Sequence, residues 1–355
     1  MRDIFFSVFR VFLFAVLLAS CSQKIGYVTI TGYAQGGTYA VKFNTEGIAE
    51  EPSVIATEID RILKQIDQSL SGYNKNSLLS RFNAGEPIVP DSLFTDIYMR
   101  AYGIYDMTGG CVDPASAPLF DMWGFGFTSE KMPSSESVEK VLLDCGMKRL
   151  KRNVAEAISV DGVLVPGNLL EASASEYLPK LNYNAIAQGY SCDVVARYLY
   201  SLGVKDMMVD IGEIFCDGVN PSGRPWTIGI DRPIDGNDTP GANVQEVFHV
   251  PAGPHGVVTS GNYRKFYIRD GRKYSHSIDP RTGYPVQHNL LSATVVASDA
   301  TLADAYATYC MVIGLDQAKD FVSSSQDIEA CLIYDDNGQM LSWCSDGFQL
   351  ITSEK

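Results

Sequence analysis

Between Asp206 and Ser298 the chain sets out "DMMVDIG", "WTIGIDRP", "VQEVFHV", "RKFYIRDG" and "LLSATVVAS", segments that alternate or run apolar between turn residues. Several of the connections are too tight to hold a crossover helix, which parallel neighbours in one sheet require. A mixed, largely antiparallel sheet is therefore expected in place of a doubly wound one. Asn337 and Gly338 mark a hairpin within "EACLIYDDNGQMLSWC". Helices interleave with these strands. Ile55, Ile59, Ile62, Leu63, Ile66 and Leu70 recur at helical spacing behind "EPS". A second helix is expected from about Asp91 to Met107, a third from near Asn184 to Gly203, and a fourth over "DATLADAYATYCMVIG". No repeat or low-complexity linker divides the pattern, which predicts an α+β fold with one large domain over 31–355.

The start of the chain predicts where that domain works. Arg2 and Arg10 precede "VFLFAVLLAS", an apolar run short for a membrane span and ending in small residues before Cys21. Leu18, Ala19, Ser20 and Cys21 resemble a bacterial lipobox, which predicts a signal peptide over 1–20, an acylated (palmitate-bearing) Cys21 and a short tether over 21–30. An ordinary signal peptide or an uncleaved anchor stays open. The body would then sit outside the cytoplasm, facing the periplasm or cell exterior and held to the membrane by lipid. A formal charge of −14 excludes a nucleic-acid binder and disfavours adhesion to anionic lipid, leaving acyl chains to do the anchoring. The cysteines besides Cys21 are scattered and form no C-x-x-C pair, which argues against a disulfide scaffold or a zinc knuckle. A single disulfide in an oxidising compartment stays open.

Five clusters could carry chemistry. Asp304 and Thr308 lie four apart in a helical segment, so a carboxylate and a hydroxyl share one face and could offer oxygens to a hard cation. The plainer alternative is a dipole-favoured Asp and a Thr bonded to its own backbone. In "LNYNAIAQGYSCD", Asn182, Asn184, Gln188, Gly189 and Asp193 surround a helix start, where free N–H groups attract anions, although Asn184 could merely cap it. "TGGCVDPASAPLFDMWGFG" and "SLSGYNKNSLLSRFN" are loop-like stretches that offer Asp113 and Tyr73 among other polar groups. "YSHSIDPRTGYP" places His276 and Asp279 on backbone stiffened by Pro280 and Pro285 and loosened at Gly283.

The order of these blocks is more telling than any one of them. "QGGTY", "SGYNKNSLLSRFN", "GGCVDPASAPLFDMWGFG", "NAIAQGYSCD", "TSGNYRKFY", "YSHSIDPRTGYP" and "ADAYAT" together resemble the ApbE-type flavin transferases, or FAD:protein FMN transferases, over nearly the whole chain from about Gly36. The resemblance implies a T-fold-like α+β domain and an Mg²⁺-dependent enzyme that splits FAD at its pyrophosphate. It moves the FMN half onto a Thr or Ser hydroxyl of a partner flavoprotein and releases AMP. It implies acceptors such as subunits of the sodium-pumping NADH:quinone oxidoreductase (Nqr) or Rnf-type complexes. It also implies metal ligands from the side chains of Asp304 and Thr308 and the carbonyl of Ala185. Flavin or nucleotide contacts would come from Gly36, Thr38, Tyr73, Cys111, Val112, Asp113, Asn182, Gln188 and Ile278, with His276 as catalytic base and Asp279 supporting it. Three positions depart from the usual pattern: Gln188 stands where Lys or Glu is common, Gly36 where Met is common, and "DIGE" at 210–213 is one glycine short. Hydrolysis of FAD to free FMN and AMP, and non-catalytic flavin binding by an exported lipoprotein, are the alternatives.

Overall fold

The computed structural model describes residues 26–126, 132–171, 178–237 and 239–351. The signal expected over 1–20 and the acylation site at Cys21 lie outside the described residues. The chain opens with a hairpin of β1 (Tyr27–Ala34) and β2 (Gly37–Asn44), so residues 27–30, expected to end the tether, are already strand. A helical section follows, with α1 (Pro52–Leu70), α2 (Leu78–Asn83), α3 (Ser92–Met107), α4 (Ala117–Met122), α5 (Ser135–Asp144) and α6 (Ala187–Ser201). Next come β3 (Met207–Asp210), β4 (Ile214–Asp217), β5 (Thr227–Asp231), β6 (Val244–His249) and β7 (His255–Gly261). A hairpin of β8 (Phe266–Arg269) and β9 (Arg272–Ser275) precedes the short pair β10 (Ile278–Asp279) and β11 (Tyr284–Pro285). The remaining elements are β12 (Leu290–Ala297), α7 (Ala300–Ile313), α8 (Leu315–Ser324), β13 (Glu329–Asp336), β14 (Gln339–Cys344) and β15 (Gln349–Leu350).

The main sheet has eight strands in the order β1-β2-β3-β4-β7-β12-β13-β14, and every pairing in it is antiparallel. Spatial order follows chain order, with short turns joining β1 to β2, β3 to β4 and β13 to β14 and longer excursions joining the rest. A smaller sheet, β15-β6-β5, packs Phe248 and Ile230 with Trp226, Val257 and Ile333 in one buried cluster. The other large core forms where the helical section meets the sheet. There α1 buries the predicted stripe of Ile55, Ile59, Ile62, Leu63, Ile66 and Leu70, each worth about 1.5–3 kcal/mol by removal from water. Among the described residues no helix is long and apolar enough to cross a membrane.

Helix starts show which sequence signals held. Asp91 caps α3 by accepting from the Phe94 N–H at 2.8 Å, as expected. The third expected helix begins at Ala187, not near Asn184, and its N-cap is Ile186 with no side-chain bond. Asn184 therefore caps nothing; its N–H donates to Asn182 Oδ1 at 2.9 Å in a local turn. The stretch from Thr108 to Gly126, expected to be neither helix nor strand, contains a 3₁₀ turn at Pro114–Ser116 and α4.

Candidate active site

Several backbone corners meet at one end of the main sheet. The β1–β2 turn lies there, since Ala40 pairs with Asp210, at the end of β3. The β3–β4 turn and the end of β7 share that edge, because Ile214 pairs with Val257 as the two strands run antiparallel. α6 and α7 cover the same end. Their approach depends on two glycines: a Cβ at Gly189 would lie 2.2 Å from the Ala300 carbonyl oxygen, and one at Gly256 would lie 2.3 Å from the Ala300 Cα. Only residues without a Cβ let the first turn of α7 wedge between α6 and β7.

Asp193 on α6 fixes that wedge. Its carboxylate, 7% exposed, accepts from the Ala300 and Thr301 N–H groups at 2.8 and 2.9 Å and from the Thr301 hydroxyl at 2.5 Å, while Asp299 caps the same helix through Leu302 N–H. Asp193→Ala is expected to strand these buried donors and to destabilise the fold by about 2–3 kcal/mol, read as a lowered urea midpoint with unchanged slope. A midpoint within a few tenths of the unaltered protein would show that α7 does not depend on this cap.

Asp304 sits one turn further along α7, 5% exposed. Its carboxylate accepts from the Gly189 N–H at 3.2 Å, so it occupies the first turn of α6, just past the 184–186 turn that contains Ala185. The expected carboxylate and carbonyl donors thus share one corner. Burial raises the Asp304 carboxyl above the usual carboxylate range, the Gly189 N–H opposes this, and the charge of Asp193 adds to it. Glu213, in the β3–β4 turn, is pushed well up by burial and by the charge of Asp304. Thr308 Oγ1 lies 3.4 Å from Ser260 Oγ at the end of β7, so its hydroxyl faces the same corner.

A hard divalent cation fits this donor set on chemical grounds: a buried carboxylate in the same corner as a hydroxyl and a turn that offers carbonyl oxygens. Among the described residues no three His, Cys, Asp or Glu side chains form a metal cluster.

The remaining expected residues distribute around this corner. Gln188 Nε2 donates to the Ile211 carbonyl at 3.2 Å and lies across Gly212, whose φ is +91°. The exposed Gly36 and Thr38 form the β1–β2 tip, which Gln35 ties to Ser191 on α6. Asn182 N–H donates to the Pro114 carbonyl at 2.8 Å, bringing the 111–113 segment to the same side. Cys111 and Val112 have buried side chains, and Asp113 accepts from Ala115 and Met147 N–H groups, so ligand contacts from this segment would be made by backbone. Burial pushes the Asp113 carboxyl up to about 6. Asn83 and Leu181 exchange two hydrogen bonds at 2.8 Å, which docks α2 and the loop carrying the 67%-exposed Tyr73 beside Asn182. The Ile278 side chain does not line a cleft: it is 2% exposed, packed with Leu119, Trp123, Val138 and Cys145.

His276 follows β9. Its backbone N–H donates to the Lys265 carbonyl, and its Nδ1 lies 3.1 Å from the same oxygen. A carbonyl only accepts, so Nδ1 carries the proton and Nε2 keeps its lone pair. Desolvation lowers the imidazole below the ordinary histidine range. The edge of its ring meets Phe125 at 6.4 Å. Asp279 is differently occupied: Arg281 holds it through Nε and Nη2 at 3.0 and 2.9 Å, and its carbonyl anchors the turn to Gly283. Both members of the pair act electrostatically on Cys111, and Arg281 also acts on Tyr309 of α7. Glu213, Ser260, Lys265 and Arg281 were not singled out from sequence, although "TSGNYRKFY" contains two of them and "YSHSIDPRTGYP" a third.

A sequence profile of the ApbE family matches residues 33–332. The chain is 32% identical over 329 residues to the FAD:protein FMN transferase of Vibrio cholerae, covering 91% of this chain and 92% of that one. It is 31% identical over 350 residues to the protein of the same name from Haemophilus influenzae, covering 96% of each. The solved apo structure of the Pseudomonas stutzeri flavinyl transferase ApbE superposes with a TM-score of 0.75 at 29% identity, over 91% of this chain and 95% of that one.

Proposed function

The chain belongs to the ApbE family, and from that membership we propose that it transfers FMN from FAD to a Thr or Ser hydroxyl of a partner flavoprotein, releasing AMP. The observation that carries this is Asp304, a buried carboxylate held against the Gly189 N–H at the start of α6. Asp304, Thr308 and the carbonyl of Ala185 would hold Mg²⁺, which when bound supplies positive charge to neutralise pyrophosphate oxygens. Catalysis of phosphoryl transfer is largely positioning and charge stabilisation, so the chain's own residues have limited covalent work. The β1–β2 tip, the 111–113 backbone, Asn182 and Gln188 would orient the dinucleotide. His276 Nε2 would accept the proton of the incoming hydroxyl as its oxygen bonds to the FMN phosphorus and the bond to AMP breaks.

Incubation with FAD, Mg²⁺ and a Thr-containing acceptor peptide tests this by mass. A peptide carrying FMN, with AMP released and nothing added to a Thr→Ala peptide, is the expected result. Free FMN with AMP would assign a hydrolase, and intact FAD a carrier.

The export reading belongs to the same proposal: a lipid on Cys21 would hold the domain to the membrane, facing the periplasm or cell exterior, where its acceptor subunits would also be exposed. Cys21→Ser is expected to move the protein from the membrane to the soluble fraction with its in-vitro transfer unchanged. Retention in the membrane fraction would overturn the lipid anchor.

A further inference from the structure

We propose that Cys331 and Cys344 form a reversible disulfide that staples the edge strand β14 to β13. The two residues stand directly opposite each other in the antiparallel register. The next pair along is hydrogen-bonded, because the Ser345 N–H donates to the Ala330 carbonyl at 2.9 Å. Hydrogen-bonded and non-hydrogen-bonded pairs alternate, so Cys331 and Cys344 occupy a non-hydrogen-bonded site. Opposed Cα atoms there come within about 4.5 Å, inside the range a disulfide bridges, and the side chains project to the same face.

The surroundings favour an ordered reaction. Cys331 is fully buried beside Trp226, Phe248 and Phe348, whereas Cys344 is partly exposed on a strand with one free edge. The Cys344 sulfur lies within hydrogen-bonding reach of the Cys331 thiol and, with burial, pushes that thiol up. The other five described cysteines are all buried, so Cys344 is the accessible thiol among the described residues. The oxidant is a disulfide of a small thiol or of a dithiol oxidoreductase. Cys344, as thiolate, attacks one sulfur of that disulfide; the disulfide breaks and one thiol leaves, giving a mixed disulfide on Cys344. Cys331 then gives up its proton and attacks the Cys344 sulfur, and the second thiol departs. Two cysteines are oxidised and one external disulfide becomes two thiols. Edge strands offer unpaired backbone groups to other chains, and the staple would hold β14 in register.

The test uses the full chain with oxidised glutathione, followed by alkylation and non-reducing peptide mapping. The expected result is a linked peptide joining 331 to 344 and a loss of about two mass units, reversed by dithiothreitol. Cys344→Ser should give no such link. The thiol count of the unaltered protein decides the matter even if Cys331→Ala fails to fold. Alkylation of both Cys331 and Cys344 after oxidation, a glutathione adduct retained on Cys344, or a link to any other cysteine would overturn the proposal. None of these outcomes depends on flavin transfer.

Discussion

Replacing Asp304 with Ala is expected to lower FMN transfer by about 10³-fold or more, with no recovery at high Mg²⁺. The substitution removes the carboxylate proposed to hold the cation and leaves the neutral oxygens of Thr308 and Ala185, which hold magnesium weakly. Failure to fold would mimic this loss, and stability separates the two. Asp304 is raised by burial, so the folded chain holds that proton more tightly than the unfolded chain does. Without metal, its contribution is fully present below the ordinary carboxylate range and is lost as pH rises through the raised value. Asp304→Asn abolishes that titration and removes a buried charge without a partner, so at neutral pH the metal-free variant should melt no lower than the unaltered protein. Mg²⁺ should raise the melting temperature of the unaltered protein and leave the variant's unchanged. Near-normal turnover by either variant would remove Asp304 from the site.

The sequence revealed this corner unevenly, and the reasons are physical. The α1 stripe and the start of α3 near Asp91 were legible because each signal lies within a few residues of its effect. α5 and α8 were not anticipated: they bury only Val138 and only Ala318 and Val322, too few for a period to stand out. That Asp304 and Thr308 share one face of a helix was legible from their spacing. What Asp304 touches was not, because Gly189 lies 115 residues away in the chain. Glu213 was visible only as a missing glycine. Gly212 takes the positive φ of the turn and 213 does not, so the backbone there tolerates a side chain. Gln188 fills the same turn as a neutral donor through its amide contact to the Ile211 carbonyl.

His276→Ala is expected to slow transfer by about 10²–10⁴-fold while changing the KM for FAD little. The geometry gives the imidazole two separable tasks. Nδ1 pins the loop to Lys265, and Nε2 is left with a lone pair for the incoming hydroxyl. His276→Asn distinguishes them, since an amide can replace the Nδ1 donor but offers no base. If the histidine works as a base, Asn should be as slow as Ala; if it only pins the loop, Asn should recover most of the rate. The pH profile gives a further check. Desolvation lowers the imidazole, so the neutral form persists to lower pH than for an exposed histidine. The acid limb of kcat should therefore fall below about pH 6.5, the ordinary histidine value, and should vanish in His276→Asn. An acid limb that survives in the variant would assign the proton transfer to another group.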